Sequence, residues 1–316
     1  MPGGKQECLV YSIAQDKQRD SLVVKEAAAA VPVQGPYADL VTTSARGQTY
    51  LLGRAAGAAQ LDLYQFTPAK PWLKKVDAKA KIDAKTDILD ACLIGNAPHI
   101  VAYTAKNGVM LVYALKDDFS LSQPYKFFRN HEPSVTHGFT TLKSFTSFGQ
   151  VVFLGYNGEN GYVAMYTVGV TGTSPTDIPP LLFTPAWAHV WAKGWTRFAF
   201  FQLGGENFFL KTNTWKLNVN IDHVMDVLSA GTAEVGTELA DKLDNAKDLD
   251  ICQSFTLANG EPYFVSYLAK TGALTFYRFH ADCLGWTAVA KTTTKKNGTQ
   301  VVPITTATNE VYLVVA

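Results

Sequence analysis

Residues 310–316 read EVYLVVA and residues 8–14 read CLVYSIA, and these two apolar segments lie near opposite ends of a chain of 316 residues. Both have the β-branched and aromatic composition of strands. Joined end to end, they reproduce a hairpin that occurs five more times inside the chain, with residues 1–5 in the position of the turn. A hairpin divided between the two ends of the sequence predicts a chain that closes into a ring.

The five internal hairpins share an apolar first arm, a turn rich in Gly or Asn, and an apolar second arm with an aromatic residue. First arms cover residues 50–54, 99–103, 151–156, 197–202 and 263–267, and second arms cover 61–66, 109–115, 162–168, 208–213 and 273–279. The second arms are marked by Tyr11, Tyr64, Tyr113, Tyr166 and Tyr277, with Lys211 in the fourth copy. Their spacing of 45 to 66 residues is typical of β-propeller blades.

Strand-like segments precede each hairpin, such as residues 39–44, 88–94 and 189–193, and more polar segments follow it. The sequence therefore predicts an all-β fold. We expect a six-bladed β-propeller with four antiparallel strands per blade, closed by the N- and C-terminal strands, over residues 1–316 as a single domain. Within residues 218–249, Val235, Leu239 and Leu243 recur every four residues, which predicts a helical insert between blades four and five. Such an insert would serve as a lid, an oligomer contact or a rim decoration.

Composition narrows the range of partners. The net charge of +1 provides no general attraction to nucleic acid or to anionic membranes. No apolar run reaches the roughly 18 residues of a membrane span, and the first residues, MPGGKQE, show no secretion signal. We expect a cytoplasmic protein, with secretion as the alternative. The four cysteines lack metal-ligand spacing and fit a role as small core residues.

Residues 260–289, GEPYFVSYLAKTGALTFYRFHADCLGWTAV, resemble the repeat of the six-bladed fucose-binding propeller lectins, and the likeness extends to the repeat rhythm of most of the chain. It implies a carbohydrate-binding protein whose sugars lie between neighbouring blades, held by an Arg, a Glu and aromatic rings. An aromatic face covers the apolar C–H side of a sugar. The candidate stacking residues in this chain are Trp72, Trp187, Trp195 and Trp286.

This chain departs from the lectin pattern in its charged residues. At the position of the family's Arg it has Leu52, Val101, Phe153 and Val265. The nearest counterpart of the family's Glu is Asp62 in the first blade. The resemblance therefore includes the architecture and the aromatic residues, and not the sugar-binding charges.

A second group of residues favours a different function. His137 and His189 lie at the predicted starts of neighbouring inner strands, with Asp90 and Asp250 in flanking blades. Imidazole and carboxylate groups hold divalent metals or act as acid and base. The alternative is therefore a single-site enzyme, of hydrolase or lyase/cyclase type, that acts on a small molecule at the channel mouth with metal assistance. No polar residue recurs in all six hairpins, which favours one unique site. The sequence identifies no cofactor besides this metal.

Overall fold

The structure is a computed structural model that describes residues 5–126, 128–129, 132–133, 138–147, 149–170, 181–213, 218–225, 234–242 and 250–316. Every regular element in these segments is a β-strand, and alternating or continuous apolar positions bury one or both faces of most of them. In the described segments no helix is long and apolar enough to cross a membrane.

The predicted closure is confirmed by one four-stranded sheet. It contains β25 (Val301–Thr305), β26 (Val311–Val315), β1 (Lys5–Asp16) and β2 (Ser21–Gln34), from the innermost strand outwards. Strand β26 pairs antiparallel with β25 on one side and with β1 on the other. The last strand of the chain therefore lies inside a blade that the first strands complete, so neither β1 nor β26 is an exposed edge strand.

The other five blades each use four consecutive strands, given from the innermost outwards. Blade one consists of β3 (Asp39–Ala45), β4 (Gln48–Arg54), β5 (Asp62–Phe66) and β6 (Leu73–Val76). Blade two consists of β7 (Ile88–Ile94), β8 (Ala97–Thr104), β9 (Val109–Ala114) and β10 (Tyr125–Lys126). Blade three consists of β13 (Thr141–Ser147), β14 (Gln150–Tyr156), β15 (Tyr162–Val170) and β16 (Leu181–Val190). Blade four consists of β17 (Trp195–Leu203), β18 (Glu206–Asn213), β19 (Asn218–Met225) and β20 (Glu234–Lys242). Blade five consists of β21 (Ile251–Thr256), β22 (Pro262–Leu268), β23 (Ala273–Phe279) and β24 (Trp286–Thr293). A short ribbon, β11 (Phe128–Arg129) with β12 (Glu132–Pro133), follows blade two.

The core is divided among the interfaces between blades. Six clusters of buried apolar residues each join two neighbouring blades, and together they run once around the ring. Between blades six and one, for example, the rings of Tyr312 and Phe66 lie 5.0 Å apart. Each blade is therefore stabilised mainly by its two neighbours.

The predicted helix between blades four and five is wrong. The described residues of this segment form two strands, β19 and β20, which are the third and fourth strands of blade four. A repeat of four residues is also a multiple of the two-residue period of a strand, so Val235 and Leu239 fit either structure. The predicted inner strand at residues 189–193 is also wrong. The inner strand of blade four is β17, which begins at Trp195.

The irregular spacing at Lys211 has a structural cause, because Lys211 lies on the second strand of blade four, whereas Tyr166 and Tyr277 lie on third strands. The third-strand residue of blade four at the equivalent register is Asp222, opposite Phe209. From Tyr166 to Asp222 is 56 residues, and from Asp222 to Tyr277 is 55. The blade spacing is therefore nearly regular, and blade four differs only in lacking the aromatic marker.

Candidate functional site

Asp250 is a turn-capping residue rather than a free ligand. Its Oδ2 accepts a hydrogen bond of 2.7 Å from the backbone N–H of Ala269. Asp87 makes the same bond, also of 2.7 Å, with the N–H of Ala105 in blade two. Short carboxylate side chains commonly satisfy turn N–H groups in this way. The two aspartates therefore stabilise equivalent hairpins in blades two and five.

Asp90 connects two blades. Its buried Oδ2 accepts hydrogen bonds of 2.7 Å from both the backbone N–H and the hydroxyl of Ser144, on the inner strand of blade three. Lys143 lies 3.7 Å from Oδ1. The carboxylate is thus neutralised and hydrogen-bonded inside the ring, as a buried charge requires.

The two histidines are not brought together by the described residues. His189 is exposed on β16, the outermost strand of blade three, where its ring lies 5.8 Å from that of Trp187. The prediction that it begins an inner strand is wrong, because the chain reaches the inner strand of blade four only at Trp195. His137 lies outside the described residues. Within the described segments, no group of three or more His, Cys, Asp or Glu side chains could hold a metal ion.

Two of the tryptophans lie beside a buried cation. The ammonium of Lys211 lies 3.8 Å from the ring centroid of Trp191 and 4.8 Å from that of Trp195. Lys211 also forms a buried ion pair with Asp222. Trp195 is itself buried, so it serves in packing between blades three and four. Trp187 is half-buried on β16, with its ring 5.9 Å from that of Trp191.

Trp72 and Trp286 lie at the start of outermost strands, as the sequence predicts for them. Trp72 is half-buried, and its ring lies 6.1 Å from that of Tyr312 in blade six. Trp286 is half-buried and meets Phe264 edge-on at 6.0 Å. Each ring therefore has one side against an inter-blade core and part of its surface exposed.

Asp62, the counterpart of the lectin family's Glu, borders a cavity of about 570 Å³ at the edge of blade one. Its Oδ1 is 2.9 Å from the ammonium of Lys75, and its Oδ2 accepts a hydrogen bond of 3.0 Å from the hydroxyl of Tyr37. Burial, followed by hydrogen bonding to Tyr64, raises the pKa of Tyr37. This hydroxyl therefore acts as a neutral donor, and the charge of Asp62 is already paired.

A groove of about 540 Å³ runs between blades five and six, at the side of the ring where β1, β21 and β25 end. Its floor includes Ile13, Leu257 and Val311, which belong to the cluster that joins these two blades. Its rim includes Gln15, from the end of β1, and Asn259, from the turn between β21 and β22. The groove thus combines an apolar floor with amide groups at the edge.

Glu261 connects the two rim amides. Its Oε2 accepts hydrogen bonds from Asn259 Nδ2 at 2.8 Å, from Gln15 Nε2 at 3.3 Å and from the hydroxyl of Tyr263 at 2.8 Å. Burial, and next the hydrogen bond to Glu261, raises the pKa of Tyr263. The tyrosine is therefore a fixed neutral donor, and one carboxylate oxygen orients side chains from two blades.

Arg278 and Asp20 lie beside this cluster and link the same two blades. Two guanidinium nitrogens of Arg278 face the two carboxylate oxygens of Asp20, one of them at 2.8 Å. The sequence does not single out Glu261 and Arg278, although both fall within residues 260–289, the segment that resembles the lectin repeat. Glu261 and Arg278 lie close to Gln15 and Asp20 only because the N-terminal strands complete blade six.

A second cavity lies on the ring axis. It has a volume of about 280 Å³ and is lined by inner-strand residues of blades one, two, five and six. Blades two and five are opposite each other in a six-membered ring, so a cavity that touches both must lie in the central channel. A further cavity of about 260 Å³ is lined mainly by inner-strand residues of blades three, four and five. Both cavities therefore lie near the ends of inner strands, around the axis of the ring.

No family model matches the chain, and no curated protein sequence matches it either. Solved structures do match its fold. A protein provisionally assigned as a 6-phosphogluconolactonase from Bacteroides fragilis is 14% identical, with a TM-score of 0.56, over 98% of this chain and 88% of its own. A similarly assigned protein from Bacteroides uniformis is 12% identical, with a TM-score of 0.50, over 94% of this chain and 86% of its own.

An exo-β-1,3-galactanase from Clostridium thermocellum is 7% identical, with a TM-score of 0.50, over 81% of this chain and 62% of its own. At these identities the likeness shows the fold alone. The expectation drawn from the fucose-binding lectins is confirmed for the six-bladed propeller architecture. None of these three similar structures is described as a lectin, since two are of a lactonase type and one is a galactanase.

Proposed function

We propose that the protein binds a carbohydrate in the groove between blades five and six. The single observation that supports this proposal most directly is the convergence of Gln15, Asn259 and Tyr263 on one oxygen of Glu261, at the edge of that groove. The volume of about 540 Å³ falls within the range typical of small-molecule sites. Such sites combine apolar walls with a few oriented polar groups.

The chemistry of the groove matches that of a sugar. Each hydroxyl of a sugar both donates and accepts hydrogen bonds, and the amides of Gln15 and Asn259 can do the same. The carboxylate of Glu261 lies behind these amides and orients both of them through charge-assisted hydrogen bonds. The floor formed by Ile13, Leu257 and Val311 provides an apolar surface for the C–H side of the ring.

The test combines a glycan array that includes fucosides with calorimetry on the best ligand. Changing Glu261→Gln keeps the shape of the side chain and removes its charge. We expect the affinity to fall by about tenfold or more, because the amides of Gln15 and Asn259 lose the charged partner that orients them. Glu206→Gln, an exposed carboxylate in blade four, is the matched control and should bind like the wild type. No glycan bound above background, or unchanged affinity in the Glu261→Gln variant, would contradict the proposal.

A second candidate surface for the same function is the half-exposed pair Trp187 and Trp191, whose rings are 5.9 Å apart beside the exposed His189. Aromatic faces at a surface can stack against sugar rings. Trp187→Ala should then abolish binding of a glycan that Glu261→Gln still binds, whereas Trp286→Ala should not. If Glu261→Gln abolishes binding and Trp187→Ala does not, the glycan is assigned to the groove.

A further inference from the structure

We propose that Asn259 is a site of spontaneous covalent modification, and that its conversion to an acid disables the groove between blades five and six. Asn259 is exposed and precedes Gly260 in the turn between β21 and β22. A glycine after asparagine leaves the side-chain amide open to attack by the next backbone nitrogen, because no Cβ shields that nitrogen. The effect on binding rests on the function proposed above, whereas the modification itself does not.

The reaction requires water and no other reagent. The lone pair of the Gly260 nitrogen forms a bond to Cγ of Asn259, the bond from Cγ to Nδ2 breaks, and Nδ2 leaves as ammonia with the proton of the Gly260 N–H. Water then opens the resulting succinimide ring to give either aspartate or isoaspartate, in which the backbone runs through the former side chain. Both products carry a negative charge in place of the neutral amide.

The turn holds the amide in an arrangement that supports this attack. The backbone N–H of Glu261 donates a hydrogen bond of 3.1 Å to Oδ1 of Asn259, which polarises the attacked carbonyl and stabilises the oxyanion that forms there. The Gly260 N–H donates to the carbonyl of Leu257 at 2.9 Å, and this bond must open first. Residues 258–260 are all exposed, and exposed turns open locally at little cost in free energy. Asn259 therefore combines a polarised amide, an unhindered nucleophile and access to water.

Conversion of Asn259 breaks the hydrogen-bond network of the groove. Its Nδ2 donates to Oε2 of Glu261 at 2.8 Å and to Oε1 of Gln15 at 3.2 Å. A carboxylate at this position donates neither bond, and it places a second negative charge against that of Glu261, which is unfavourable. Isoaspartate also lengthens the backbone of the turn. In either product, blades five and six lose the contact that orients the two amides.

Peptide mapping by mass spectrometry tests the modification. The chain has four other Asn-Gly pairs, at Asn107, Asn157, Asn160 and Asn297. Asn157 is 6% exposed, and its Oδ1 accepts hydrogen bonds from two backbone N–H groups, so it is the internal standard that should stay intact. The folded protein is kept at pH 8.5 until a urea-unfolded sample has converted at every Asn-Gly pair. We expect aspartate and isoaspartate at Asn259 and not at Asn157. An intact Asn259 at that time overturns the proposal.

Two variants test the consequence of the modification. Asn259→Asp reproduces one product directly, and we expect it to lower the urea midpoint and to weaken binding on the glycan array by about tenfold or more. Asn107→Asp is the matched control in blade two, because Oδ1 there accepts from the N–H of Val109 and an aspartate keeps that bond. It should change neither property. An unchanged urea midpoint in Asn259→Asp overturns the disabling effect. If Asn259 converts and the midpoint falls while no glycan binds, the proposed function fails and the modification stands.

Discussion

The hydroxyl of Tyr156, at the end of the second strand of blade three, accepts a hydrogen bond of 3.3 Å from the backbone N–H of Trp195, the first residue of blade four. The same hydroxyl donates a bond of 2.8 Å to the carbonyl of Ala192. Two other tyrosines at the ends of second strands make the equivalent contact with the next blade. Tyr103 accepts from the N–H of Phe139 at 3.1 Å, and Tyr267 from that of Gly298 at 2.8 Å.

Replacing Tyr156 by Phe tests the strength of this connection. The change keeps the ring and leaves a buried N–H and a carbonyl without their partner. We expect a loss of about 1–3 kcal/mol in the free energy of unfolding, measured by urea denaturation. Tyr277→Phe is the control, because Tyr277 stacks on Phe264 at 4.5 Å and its hydroxyl makes no hydrogen bond with the described residues. A control that is as destabilised as Tyr156→Phe would show that the hydrogen bond is not the cause.

The propeller could be predicted because its evidence is local. Each blade supplies its own hairpin, and the spacing of Tyr64, Tyr113 and Tyr166 shows the period directly. The position of blade four is not visible in the sequence because Asp222 occupies the place that holds tyrosine in the other blades, and Lys211 on the preceding strand gives the wrong spacing. The strand count in that blade depends on pairing between β18 and β19, which composition does not show.

The groove could not be predicted because its residues are distant in sequence. Gln15 and Glu261 are separated by 246 positions and meet only because blade six is completed by the N-terminal strands. The tryptophans and aspartates, in contrast, stand out in the sequence by residue type. Their roles depend on the side of the strand that carries them, and the structure assigns Asp90, Asp250 and Trp195 to contacts within the ring.

Breaking the buried ion pair of Lys211 and Asp222 should lower the free energy of unfolding strongly, whereas replacing both residues by apolar ones should lower it little. Burial lowers the pKa of Lys211 and raises that of Asp222, so each charge depends on the other. Lys211→Met leaves an unpaired buried carboxylate, and we expect a loss of about 3–5 kcal/mol in the free energy of unfolding. Adding Asp222→Leu should recover most of that loss. A double variant less stable than either single variant would show that the pair itself, through its contact with Trp191, is the favourable element.

His99 should make the stability depend on pH. It is buried in β8, its Nδ1 lies 2.8 Å from the carbonyl oxygen of Ala97, and its Nε2 has no partner among the described residues. Burial lowers its pKa, so the unfolded chain takes up a proton at a higher pH than the folded one. The stabilising contribution is complete above the unfolded pKa of about 6.5 and is lost as the pH falls below it.

The measurement for His99 is urea denaturation at pH 7.5 and pH 5.5. The wild type should lose stability over this interval, and His99→Phe should lose less, because the uncharged ring removes one proton-binding difference between the two states. His280→Phe serves as the control, because His280 is exposed. An equal pH dependence in the wild type and the His99→Phe variant would assign the effect to other groups.

Gly155 tests how tightly the blades pack. A Cβ atom at this position would overlap the ring of Phe139, which is 1% exposed and confined by the rings of Tyr103 and Tyr162 at 5.6 and 6.4 Å. The ring has no space to move into, so we expect Gly155→Ala to cost about 1–3 kcal/mol of unfolding free energy through overpacking. Gly169→Ala on the neighbouring strand is the matched control, because a Cβ there meets no atom within 4 Å, and it should be neutral or slightly stabilising. If both variants keep wild-type stability in urea denaturation, the contact between Gly155 and Phe139 is looser than the structure shows.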